Sequence, residues 1–106
     1  MSEYVAPLRD MRFVMQELAG LDQIVSLPGC EEASADVVDA ILDEAAKFAG
    51  EVISPLNRVG DTDGAKLKET VVTTSPGFKE AYRQFVDNGW NGLGCDPEFG
   101  GQGLPR

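Results

Sequence analysis

The chain has 106 residues, 42 % hydrophobic and 25 % charged, and its 18 acidic against 9 basic residues give a formal charge of −9. That length points to one domain, able to bury about two-thirds of the surface it exposes when unfolded and so to form a small core; the composition is that of a soluble globular chain. The acidic balance excludes binding to nucleic acid phosphates or anionic membranes through clustered cations, and leaves solubility or an acidic docking face for a basic partner.

Residues 8 to 19 read as a helix, with Leu8, Met11, Met15 and Leu18 on one stripe, Pro7 at the start and Gly20 at the end. Leu21 to Leu27 adds a short helical turn closed by Pro28-Gly29. Residues 35 to 54 form the clearest element. Ser34 is placed to cap it and Asp36 sits in its first turn, where the helix dipole favours negative charge. Val37, Ile41, Ala45, Phe48 and Val52 share a face, flanked by Val38, Leu42 and Ala49. A stripe that wide predicts more than one neighbour. Asp39, Asp43, Lys47 and Glu51 fall on the other side, with Asp43 and Lys47 spaced as an i,i+4 ion pair. Such a helix is about 30 Å long, and Pro55 is expected to end it.

Residues 57 to 64 read as a loop broken by Gly60 and Gly64. Residues 65–68 and 70–74 pair as a hairpin around Lys68-Glu69, with β-branched Val71, Val72, Thr73 and Thr74 favouring extended backbone. An isolated hairpin is marginal, so this one must lean on the helices or on parts of the protein outside this stretch. Residues 76 to 88 predict a second strong helix, capped by Ser75, opened by Pro76 and followed by Gly89. Phe78, Tyr82, Phe85 and Val86 make its apolar face, and Trp90 follows, placed to close the core. The fold class is mainly α: a small helical domain with a short β-hairpin between its two longest helices.

Few residues carry chemistry. Histidine is absent, which removes Ser-His and Cys-His dyads and the commonest zinc ligand. Cys30 and Cys95 are far apart and out of metal-ligand spacing, as expected of two reduced thiols in a cytoplasmic protein. No apolar run reaches membrane-spanning length, and residues 1 to 7 lack the layout of a signal peptide. Gly60-Asp61-Thr62-Asp63-Gly64 begins like a calcium loop, but its glycine comes too early and the twelfth position from Asp61 is Val72; an aspartate-stabilised turn is the better reading. The glycines at 89, 92 and 94 and at 100, 101 and 103 do not join a strand to a helix, as a phosphate cradle requires. Glu31-Glu32 and Asp39 with Asp43 read as solvated charge, and Phe78, Tyr82, Phe85 and Trp90 as core. The glycine-rich run from Trp90 to Arg106 has only one flanking element to hold it, and so reads as a connection inside a longer polypeptide.

Four strings then carry a resemblance. Tyr4, Ala6, Pro7, Leu8, Arg9, Asp10, Arg12 and Phe13 resemble the N-terminal extension of one large subgroup of acyl-CoA dehydrogenases. Ser54-Pro55-Leu56-Asn57-Arg58 with Gly60-Asp61 is similar to that subgroup's next signature. Thr73-Thr74-Ser75-Pro76-Gly77-Phe78-Lys79-Glu80-Ala81-Tyr82 resembles the third, and Gly89-Trp90 followed by residues 96 to 105 resembles the fourth. They occur in the right order over nearly the whole chain, and residues 21 to 34 fall outside them.

The resemblance implies a flavoenzyme that oxidises an acyl-CoA thioester between its α and β carbons. In such enzymes a glutamate takes the α proton, the β hydride goes to FAD, and an electron-transfer flavoprotein takes the electrons. It implies an N-terminal helical domain, a middle β domain and a C-terminal four-helix bundle, with flavin contacts chiefly in the latter two and the base in the last. Residues 1–30 then correspond to the extension and 31–106 to a first domain cut short at its C-terminal end. No residue here matches the base or a flavin motif: neither Glu80 nor Glu98 takes that role, and Gly100-Gly101-Gln102-Gly103 comes nearest, as a loop before a helix bordering the acyl pocket. The expectation is an inactive piece with no catalytic, cofactor-binding or metal residues, whose partners are the other domains of its own chain and which self-associates through uncovered apolar surface. A reading of another class is a self-standing acidic helical module that binds a partner protein.

Overall fold

The computed structural model describes residues 4–106. Helix α1 (Leu8–Phe13) runs directly into a wider π turn (Val14–Leu18), in which the Ala19 amide donates to the Val14 carbonyl at 2.8 Å, five residues back. The extra residue in such a turn rotates everything after it by about 100°. Leu8, Met11 and Met15 therefore stay half-buried on one stripe, while Leu18, expected beside them, is 72 % exposed. Helix α2 (Leu21–Val25) follows, anchored by buried Leu21.

The centre of the molecule is a continuous helical rod. Helix α3 (Ala35–Phe48) begins where the Ser34 hydroxyl accepts from the Val37 amide, with Asp36 in the first turn. A second π turn (Ala49–Ile53) then leads without a break into α4 (Ser54–Thr62). The expected stop at Pro55 is overturned, and with it the loop expected from residue 57. A proline breaks a regular helix because it lacks an N–H and crowds the carbonyl four residues back. Here the preceding π turn has already shifted the hydrogen-bond ladder, and Pro55 enters in the first turn of α4. Thr62 Oγ1 donates to the Arg58 carbonyl at 2.9 Å in the last turn. Gly60 is a socket and not a breaker: a Cβ there would lie 2.8 Å from Phe78 Cζ.

Strands β1 (Lys66–Lys68) and β2 (Val71–Thr73) pair antiparallel, with Leu67 opposite Val72 and Lys68 opposite Val71. Their turn is Glu69-Thr70, one residue beyond the expected position. The ribbon has no extensive contact with a helix among the described residues; Leu67, Val71 and Val72 are all more than 60 % exposed. Helix α5 (Phe78–Asp87) starts two residues later than expected. Ser75 is buried and contributes its carbonyl, not its hydroxyl, to the turn that the Phe78 amide closes at 3.2 Å. Gly89 follows the helix end as expected, its amide donating to the Val86 carbonyl.

The glycine-rich tail forms short 3-10 turns at Trp90–Gly92 and Pro97–Phe99, then folds back on itself. The Gln102, Gly103 and Leu104 amides donate to the Gly92, Cys95 and Leu93 carbonyls at 2.9, 2.9 and 3.1 Å. The loop thus needs no second flanking element. Close backbone approach makes this possible: a Cβ on Gly101 would collide with the Cys95 carbonyl.

These elements form a slab 54 × 36 × 18 Å in extent. Its radius of gyration is 17.3 Å, against about 13 Å for a closed domain of this length. Its surface is 8187 Å², against about 5,800 Å² for a compact protein of this mass. The expected small core is not assembled: Leu21, Ala33 and Ala81 are the buried apolar residues among those described, and no large side chain is fully enclosed.

Among the described residues one long-range ion cluster ties α1 to α3. Arg12 of α1 donates to Asp39 Oδ1 at 3.0 Å and to Asp43 Oδ1 at 2.6 Å, one helical turn apart on α3. These aspartates stay substantially exposed, as expected, and also dock α1 through Arg12. Asp43 is engaged there, so Lys47 pairs with Glu44 at 2.9 Å instead of the expected Asp43. The bonds to Asp43 and then Asp39 raise the Arg12 pKa further above neutrality. Arg12→Met should lower the thermal midpoint and free α1, seen as faster amide exchange over residues 8–18. The difference from the wild type should shrink in 1 M salt, where exposed ion pairs are screened. Gly101→Ala should cost about 1–3 kcal/mol, because neither backbone segment can yield, and should remove exchange protection at Gln102, Gly103 and Leu104.

Candidate functional site

A groove of about 650 Å³ runs along the rod. Its floor follows helical spacing on α3 and the π turn, through Val37, Ile41, Phe48 and Val52. The opposite wall is the folded-back tail, contributing Trp90, Leu93 and Leu104. An aromatic cluster joins the two sides. The Phe48 ring lies 6.3 Å from Phe85 and 6.5 Å from Trp90, and Tyr82 stacks on Phe85 at 6.4 Å. Tilted contacts at these separations suit the ring quadrupoles.

The aromatics expected as core divide accordingly. Phe85 and Trp90 are half-buried, while Phe78 remains 39 % and Tyr82 69 % exposed, because nothing among the described residues covers the outer face of α5. Trp90 Nε1 is enclosed with no acceptor among the described residues. An enclosed donor without a partner costs about 1–3 kcal/mol.

The groove rim is acidic. Glu32, Glu44 and Glu51 line it with Lys47, and Lys47 is held by Glu44, a contact that raises its pKa. A dinucleotide needs donors converging on its diphosphate, so this net-negative rim does not fit FAD. A second, larger hollow of about 1400 Å³ lies where the N-terminal segment crosses the π turn, with the Tyr4 amide donating to Ser54 Oγ at 3.3 Å.

The other residues weighed for chemistry do not converge. Asp61 sits in the last turn of α4 and Asp63 just beyond it. Among the described residues no three His, Cys, Asp or Glu side chains gather as metal ligands. Glu31 accepts from the Gly29 amide at 3.1 Å, and backbone N–H donors, its own first, hold its carboxyl below the usual range. Glu80 pairs with Arg83, and Asp96 accepts from the Glu98 amide at 2.8 Å. Cys30 and Cys95 are free thiols, and no helix described is long and apolar enough to cross a membrane.

Phe48 is the one ring shared by both sides of the groove. Phe48→Ala should cost about 2–4 kcal/mol, somewhat below a fully buried phenylalanine, and should red-shift the emission of Trp90, the single tryptophan. Fluorescence-monitored urea unfolding reads both effects.

No family model matches the chain. A curated relative does: the chain is 43 % identical over 103 residues to the 3-methylmercaptopropionyl-CoA dehydrogenase of Ruegeria pomeroyi. The match covers 97 % of this chain and 18 % of the relative, so the chain spans less than a fifth of that protein's length. Along nearly its whole length the chain is therefore similar to a stretch of an acyl-CoA dehydrogenase, which bears out the likeness read from its sequence strings.

Proposed function

We propose that this chain is the N-terminal helical part of a flavin-dependent acyl-CoA dehydrogenase, with residues 1–30 as an extension and 31–106 as the first domain. The observation that carries this reading is the 43 % identity over 97 % of the chain to an acyl-CoA dehydrogenase more than five times longer. The open slab supports it, because a chain that buries only three apolar residues among those described has faces suited to other parts of a protein.

The role proposed for these residues is architectural. Oxidation of an acyl-CoA between its α and β carbons requires a base and a flavin held in register in a dry site. This chain offers an acidic open groove and no convergent donors, so base, flavin contacts and acyl pocket are assigned to the rest of the parent. Acyl-CoA and an electron-transfer flavoprotein are then partners of the parent, which we place in the cytoplasm. The acyl group is left open among sulfur-containing, fatty and aryl-substituted chains. By itself the 106-residue chain is inactive and self-associates through its exposed apolar faces.

The parent open reading frame, expressed whole, should give a yellow protein that reduces an electron acceptor when supplied with an acyl-CoA. Added FAD should leave the spectrum of the 106-residue chain unchanged, and light scattering should show that chain associating. A colourless parent inert toward acyl-CoA thioesters would overturn the reading, as would a strictly monomeric, tightly packed 106-residue chain or one that turns over thioesters.

A further inference from the structure

The groove between α3 and the folded-back tail has the form of a helix receptor. Val37, Ile41, Phe48 and Val52 repeat at helical spacing along its floor, over about 22 Å at 1.5 Å per residue. That is room for about four turns of a second helix, which would read the floor through its own i, i+4 stripe. On the rim Lys47 is already taken by Glu44, while Glu32 and Glu51 have no ion-pair partner among the described residues. The floor thus asks for an apolar stripe and the rim for cations. A second copy of this chain is poorly suited to this groove, whatever association its other apolar faces support, because its acidic surface would set further carboxylates against Glu32 and Glu51.

We propose that the groove is filled by an amphipathic helix from the parent polypeptide outside residues 1–106, its apolar stripe on Ile41 and Phe48 and its lysines or arginines facing Glu32 and Glu51. This rests on the reading of the chain as part of a longer dehydrogenase, and on the more than four-fifths of the relative that the match leaves uncovered. The occupant closes the floor and removes the remaining exposed surface of Phe48 and Trp90 from water.

Carbodiimide, which joins carboxylates to amines without a spacer, tests this in the whole parent protein. Links should run from Glu32, Glu44 or Glu51 to lysines outside residues 1–106 of the same polypeptide, as a mixture of isotopically light and heavy parent would show. In addition, Ile41→Lys in the parent should speed amide exchange over residues 37–52 at least tenfold while the protein stays folded. Links confined to residues 1–106, links only between copies, or rim glutamates that react without linking would overturn the proposal, as would unchanged exchange in the variant. The parent's colour and thioester oxidation are read on the same sample. A yellow, active parent without the links refutes the groove's occupant alone, whereas a colourless, inert parent with them refutes the dehydrogenase reading alone.

Discussion

Everything in this structure hangs on a rod that keeps going through a proline. Residues 35–62 run as one helical element because the π turn at Ala49–Ile53 delivers Pro55 into the first turn of α4. The rod then carries the attachment points of the rest. Asp39 and Asp43 hold Arg12 and so α1; Phe48 meets Phe85 of α5 and Trp90 of the tail; Gly60 receives the Phe78 ring. A rod ended at residue 54 would lose the Gly60 socket that receives the Phe78 ring.

The same rod explains why the molecule is open. Elements attach at intervals along one long axis, so their outer faces have no opposing layer. A domain normally buries apolar faces between two layers. Here Phe13, Val14 and Leu18 on the first helix, Leu67 and Val72 on the hairpin, and Tyr82 on α5 face outward. A half-built core matches the proposed division of labour, in which these residues are scaffold and the reacting groups belong to the remaining polypeptide.

What could be read from the residues alone followed physical range. The Ser34 cap, a helix within residues 76–88, the presence of a hairpin and the α3 stripe all come from interactions within a few positions, and each is visible in spacing and residue type, though the helix start and the hairpin turn lie two and one residues further on. The continuation through Pro55 was not, because the proline rule assumes a regular hydrogen-bond ladder and a π turn has no composition signature. The Arg12 cluster was hidden for a different reason. Asp39 and Asp43 at i,i+4 are visible as a pair, but nothing nearby names a cation 27 and 31 positions away. Ser75 and Pro76 looked like a helix start, yet tertiary packing buried the serine and moved the start to Phe78. The tail's hold is backbone to backbone, which side-chain patterns do not report. Of the groove, the floor was legible as the wide stripe on α3; its far wall depended on that fold-back.

Small-angle X-ray scattering of the 106-residue chain, extrapolated to dilution where it is monomeric, tests the central claim most directly. An open slab predicts a radius of gyration near 17.3 Å, with an elongated pair-distance distribution. A value near 13 Å, that of a closed globule of this length, would contradict it, showing that these residues complete a core unaided and have no unfinished face to offer.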